Sequence, residues 1–127
     1  MMRRLLWTQV FLWIVLSSLA FTEAHAHAVV TESSLESHPI QPNQPTNVIL
    51  TFNSGVELAL SRVFLVSKGD VHHPVEIAAG KKPGDVLVRL PALREGEYAI
   101  KYKIFAADGH FTENVIRFNV QSSTNTP

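Results

Sequence analysis

Beyond its first stretch, this chain sets apolar residues at every second position and breaks the runs with turn-forming residues. Val48, Leu50 and Phe52 alternate with Asn47, Ile49 and Thr51. Tyr98, Ile100, Tyr102 and Ile104 share one side of an extended segment, with Ala99, Lys101 and Lys103 on the other. Ile116, Phe118 and Val120 stand opposite Arg117 and Asn119. A period of two suits a half-buried strand and does not suit a helix. Val63 to Val66, Val75-Glu76-Ile77 and Val86 to Leu90 add shorter candidates. Ser67-Lys68-Gly69-Asp70 and Lys81-Lys82-Pro83-Gly84-Asp85 read as turns between them. Glu57 to Ser61 is the one place for a helical turn. About seven short strands with no long helix predict an all-β fold, an antiparallel two-sheet sandwich with Greek-key links. Its expected core holds Val48, Leu50, Phe52, Tyr98, Ile100, Tyr102, Ile104, Phe118 and Val120.

The first stretch is written differently. Arg3 and Arg4 precede an apolar run from Val10 to Leu16, and small residues then lead to Ala24-His25-Ala26. This is the order of a secretory signal peptide. Thr8, Gln9, Ser17 and Ser18 interrupt the run, which is too short to span a membrane. The expected division is therefore a cleaved signal over 1–26, a domain over 27–120 and a polar, frayed tail over 121–127. Ala24-His25-Ala26 is an A-x-A signal, so cleavage after it makes His27 the first residue. Cleavage after Ala24 or after Ala28 is formally open too.

Composition removes several kinds of chemistry. The 127 residues hold eleven basic and eleven acidic side chains, so no basic excess marks a nucleic-acid footprint. Cysteine is absent, and the only methionines are Met1 and Met2. The processed chain thus offers neither thiolate nor thioether to a metal. No nucleophile-elbow serine and no phosphate-binding glycine loop is present.

Histidine is what remains. Processing leaves His27, His38, His72, His73 and His110. As first residue, His27 carries a free α-amine beside its ring nitrogen, and the two together close a chelate on one ion. Nitrogen-rich, roughly square-planar sites favour copper(II). His110 lies in Ala107-Asp108-Gly109-His110 between two predicted strands. If the segment is extended, Asp108 and His110 face the same way and the carboxylate offsets metal charge. Asp-Gly is equally a common turn pair, and the spacing alone leaves both readings open. His72-His73, followed by Pro74, reads as a surface loop with the option of a second weak site. His38-Pro39 reads as a loop.

These residues resemble the CopC-type periplasmic copper-resistance proteins over nearly the whole processed chain. His27-Ala28 opens the match. Pro45-x-x-Val48-x-Leu50-x-Phe52 and Val56-Glu57 come next, then Leu90-Pro91-Ala92-Leu93-x-x-Gly96-x-Tyr98. Ala107-Asp108-Gly109-His110 and Phe118-x-Val120 close it. Single motifs are weak, and five in order are specific. The resemblance implies an immunoglobulin-like Greek-key sandwich and one copper(II) ion held by the His27 amine and ring, Asp108 and His110. It implies a periplasmic, non-enzymatic carrier or buffer, not embedded in the membrane and monomeric, whose partner is an inner-membrane copper transport protein of the CopD type. The chain departs from the family at Leu35, where a Pro is usual, and at Tyr102, where a Trp is common. Ala106 replaces a Ser before the Asp-Gly-His signature, and Asn114 replaces a Gly after it. Some members carry a methionine-rich loop for copper(I), for which this chain has no residues.

Two other functions are compatible with parts of the pattern. An N-terminal histidine plus a second histidine on a sandwich also resembles the copper brace of lytic polysaccharide monooxygenases. Those enzymes are larger, with a wide substrate face, and here no tryptophan follows Trp13. A metal-free immunoglobulin-like interaction domain is the other. The reading with copper requires His27 to be exposed by processing. N-terminal sequencing of exported protein should therefore begin at His27. A chain starting at Val29 would lack the proposed chelate, and one starting at His25 would build a different site.

Overall fold

The computed structural model describes residues 28–123 and, before them, residues 7, 9 and 10. The expected cleavage region, His27 and the last four residues of the expected tail lie outside the described residues. The alternating segments become strands. β1 (Val30–Ser33), β2 (Thr46–Phe52), β3 (Arg62–Ser67), β4 (Val71–Pro74), β5 (Ile77–Ala79), β6 (Asp85–Leu90), β7 (Gly96–Phe105) and β8 (Phe111–Val120) follow in chain order. They form two four-stranded sheets, β1-β2-β6-β5 and β4-β3-β7-β8, and every strand pair is antiparallel. Eight strands stand where alternation suggests about seven. Within residues 28–123, helical structure is confined to one turn of helix α1 (Ser34–Ser37) and a 3-10 turn at Leu58–Leu60, inside the segment expected to turn.

Burial follows the alternation. Val48, Leu50 and Phe52 from β2 meet Val86, Val88 and Leu90 from β6, and the facing layer supplies Val63, Leu65, Ile100, Tyr102 and Ile104. All are buried. Tyr98 and Phe118 pair across β7 and β8 with rings stacked at 5.9 Å, but they are only partly buried because β8 is an edge strand. The inner faces therefore close most tightly around the middle strands.

One expectation is overturned. His72 and His73 lie in strand β4 and not in a loop. The Ser67–Asp70 turn folds β4 back onto β3, with Gly69 and Asp70 both at positive φ, 84° and 58°. Pro74 ends the strand at the sheet edge, where its missing N–H removes no needed ladder bond. The chain then changes sheets. Val75 still donates to the Val63 carbonyl, whereas the Glu76 carbonyl already accepts from Arg89 of β6. The strand expected at Val75–Ile77 accordingly starts later, at Ile77.

Gly84 shows how one residue fixes an approach between segments. Its φ is +88°, and a Cβ there would stand 2.5 Å from the Phe52 carbonyl oxygen. Only glycine allows β6 to begin so close to the end of β2.

Two stability predictions follow from burial. Ile100 is wholly buried, and Ile100→Ala should cost about 2 to 5 kcal/mol in chemical denaturation. Phe118→Ala should cost less, in keeping with its place on the edge strand. Burial also pushes the Tyr102 hydroxyl above its usual range, opposed in part by a hydrogen bond with Asn114. The folded state thus favours the neutral phenol. That contribution is present below about pH 10 and is lost as pH rises through the raised folded value. Tyr102→Phe should remove this part of the alkaline loss of stability, measured by denaturation across that pH range.

Candidate metal centre

Asp108 and His110 lie in the connection between β7 and β8. The last rung of that hairpin is Phe105 against Phe111, and Ala106 to His110 form the loop. The loop is a turn, the second of the two readings that the spacing left open. Gly109 takes φ +90° with open space around its Cα, and its amide donates to the Ala106 carbonyl at 3.0 Å. The Ala106 amide in turn donates to the His110 carbonyl at 2.9 Å. The Asp108 carboxylate accepts from the His110 amide at 3.0 Å, which curls the side chain back over the turn.

The turn nevertheless brings the two side chains together. Asp108 Oδ2 lies 3.3 Å from His110 Nδ1, and the two side chains are 39% and 41% exposed. Neighbouring donors about 2.0 Å from one ion at right angles stand roughly 2.8 Å apart, so the two atoms lie near the spacing of donors on one ion. The donors are an imidazole nitrogen and a carboxylate oxygen, a pair that suits a borderline divalent metal. Among the described residues, no group of three or more His, Cys, Asp or Glu converges on one point. His27, the remaining expected ligand, lies outside them.

The surroundings of the turn are well fixed. The Ala107 amide donates to the Gly55 carbonyl at 2.9 Å, and Val56 bridges Ala106. A Cβ on Gly55 would already touch that of Ala107 at 3.4 Å. The Glu57 amide donates to the Phe105 carbonyl at 2.9 Å. Ser61, buried to 1% exposure, accepts from the Phe105 amide at 3.0 Å and donates to the Glu57 carbonyl at 2.8 Å. The connection from β2 to β3 is thus bonded along one side of the β7–β8 turn.

The same connection holds the start of the domain. The Val29 amide donates to Asn53 Oδ1 at 2.9 Å, and the Asn53 amide donates back to the Val29 carbonyl at 3.0 Å. Ala28 is wholly buried. Residues 53–57 therefore join Ala28–Val29 to the Asp108–His110 turn. Sequence reading missed this bridge. The only sign of it was the turn composition of Asn53-Ser54-Gly55, which says nothing about what the turn binds.

The other histidines do not join this site. His72 Nε2 lies 2.7 Å from Asp70 Oδ1, and His73 Nε2 lies 3.3 Å from Ser67 Oγ. As neighbours in β4 they point to opposite faces and do not share an ion. His38 Nδ1 meets Ser37 Oγ at 2.9 Å in the loop after α1. Two of the departures noted in the sequence turn out to face each other. Tyr102 and Asn114 are directly paired across β7 and β8, and their side chains hydrogen-bond.

Comparison with known proteins places the chain. A search of curated proteins finds no match. Among solved structures, CopC from Methylosinus trichosporium OB3b superposes with a TM-score of 0.63 at 24% identity, covering 80% of this chain and 100% of that one. PcoC, a methionine-rich copper resistance protein from Escherichia coli, gives 0.57 at 19% identity, covering 76% and 100%. At these identities the likeness shows the sandwich fold. The sequence itself matches the CopC domain family over residues 30–121, and the chain therefore belongs to the CopC family, whose members are copper-binding resistance proteins and not enzymes.

Proposed function

We propose that the processed chain is an extracytoplasmic copper(II) carrier or buffer that binds one ion through the His27 amine, the His27 ring, the His110 ring and an Asp108 oxygen. The observation that carries this reading is the bridge at residues 53–57. It ties Ala28–Val29 and the Asp108–His110 turn to one short segment. His27 immediately precedes Ala28, a single residue step of about 3.8 Å. Removal of residues 1–26 would free its amine one residue before the tethered Ala28–Val29 segment, and the signal pattern directs that removal and export to the periplasm.

Each donor has a distinct part. The amine and ring of one residue chelate together, so the second nitrogen binds at little extra entropic cost. His110 supplies a nitrogen from the other side of the bridge. Asp108 supplies an oxygen and a negative charge that offsets the ion's. With no thiolate or thioether after Met2, the set favours copper(II) over copper(I). The ion is cargo in this reading. It passes to or from an inner-membrane copper transport protein of the CopD type, and the chain works as a monomer.

The sharpest test leaves every side chain in place. One residue added before His27 in the processed protein should weaken copper(II) binding strongly and alter its paramagnetic resonance spectrum. The reason is that the α-amine would become an amide. His110→Ala and Asp108→Ala should weaken binding as well. Unchanged affinity and spectrum in the extended protein would remove His27 from the ligand set. Protons compete for the same nitrogens. A free α-amine titrates near about 8 and a free imidazole near about 6.5, so affinity should fall as pH falls and be clearly weakened by about pH 5.

A further inference from the structure

The sheet face beside the metal turn carries a patch that neither folding nor metal binding requires. On the outer face of the β4-β3-β7-β8 sheet, Arg62 is directly paired with Lys103. Like charges opposed across strands are unfavourable. Neither is neutralised by its cross-strand neighbours. Arg62 is steadied by neutral groups, the carbonyls of Ala59 at 3.2 Å and Ser61 at 2.7 Å. On the other side of Lys103 stands Glu113, but that carboxylate is taken by Lys101 at 3.1 Å. The Lys103 ammonium lies instead over the ring of Phe111, 5.0 Å from its centroid. Arg117 adds a fourth cation to the same face, paired with Ala99. Glu97, paired with Asn119, stands towards that end of the same face, so the uncompensated positive charge of the face lies at the Arg62–Lys103 end, next to the β7–β8 turn.

Phe111 gives the patch an apolar centre. It is 52% exposed, although it follows His110 directly in sequence. Its ring is held edge-on by Phe105 at 4.7 Å and capped by Lys103, so its position is fixed before any contact is made. A fixed, exposed aromatic beside the Arg62–Lys103 pair is the composition of an interface anchor. It adjoins the turn that carries Asp108 and His110.

From this we propose that the Arg62–Lys103–Phe111 patch docks an acidic protein segment of the molecule that exchanges metal with this chain. The proposal rests on the carrier reading above. Its charge selects the partner: carboxylates on the segment would neutralise the Arg62–Lys103 rung, and an apolar residue would cover Phe111. Docking there sets the partner beside His110, so recognition and metal exchange share one end of the sandwich. Opposite charge would raise the association rate and make it salt-dependent.

The test uses the processed, metal-free protein labelled with nitrogen-15, with a short poly-glutamate peptide carrying one phenylalanine as probe. Amide shifts should cluster around Arg62, Lys103 and Phe111, and should shrink as salt is raised. A poly-lysine peptide of the same design should produce none. Lys103→Glu and Arg62→Glu should each weaken peptide binding, together by roughly tenfold or more, and Phe111→Ser should weaken it separately. Copper(II) affinity should stay within about twofold, since none of the three is a proposed ligand. Shifts that map elsewhere, or equal binding of poly-lysine, would overturn the proposal. So would binding to phosphatidylglycerol vesicles without binding to the peptide, which would make the patch a membrane contact. Copper titration is read separately, so failure of the metal site and failure of the docking patch give different results.

Discussion

The hydrogen bonds made by the connection between β2 and β3 are what the candidate site depends on. Residues 53–57 bond to Val29 at one end and to Phe105 and Ala107 at the other. Neither partner belongs to the strands that this connection joins. Ser61 adds a buried hydroxyl with a donor and an acceptor both satisfied. Such a group fixes geometry, because either bond alone would leave a buried polar atom without a partner. The β7–β8 turn is therefore held by the opposite layer as well as by its own hairpin. Gly84, which only glycine can fill against the Phe52 carbonyl, sets the same end of β2 from the other side.

Much of the sandwich was legible because burial and the strand period agree. Val48, Leu50 and Phe52 on β2 and Ile100, Tyr102 and Ile104 on β7 are inward and buried, as alternation requires. Phe118 is also inward but only partly covered, because alternation gives the face of a residue and not the place of its strand in the sheet. The short edge strands were the hard part. β4 has four exposed residues and a terminal proline, so it carries no apolar signal at all. Its existence follows from the turn at Gly69 and Asp70 and from pairing with β3, which is information held in backbone geometry.

The site was legible in a different measure. The residue types and the order of motifs indicated Asp108 and His110, and the structure sets their side chains 3.3 Å apart. The means of approach was not legible, because Asp108-Gly109-His110 suits an extended segment and a turn alike. A turn at positive-φ Gly109 and the Asp108–His110 amide bond bring the two side chains together. The pairing of Tyr102 with Asn114 was invisible for a related reason. Each appears in sequence as a separate departure from the family, and only the register of β7 against β8 shows that they are one hydrogen-bonded change.

Taken together, fold and chemistry divide the work. The sandwich supplies a rigid end, the bridge at residues 53–57 brings the start of the domain to that end, and the hairpin supplies a carboxylate and an imidazole there. The proposed function adds a terminal amine that exists only after processing. Pulsed paramagnetic resonance of the copper(II)-loaded processed protein examines this combination directly, because imidazole ligands give characteristic couplings from their remote nitrogens. The account predicts couplings from two imidazoles, one lost in His110→Ala and the other in His27→Ala, together with a coordinated amine nitrogen. A spectrum with a single imidazole, or one unaffected by His27→Ala, would contradict it.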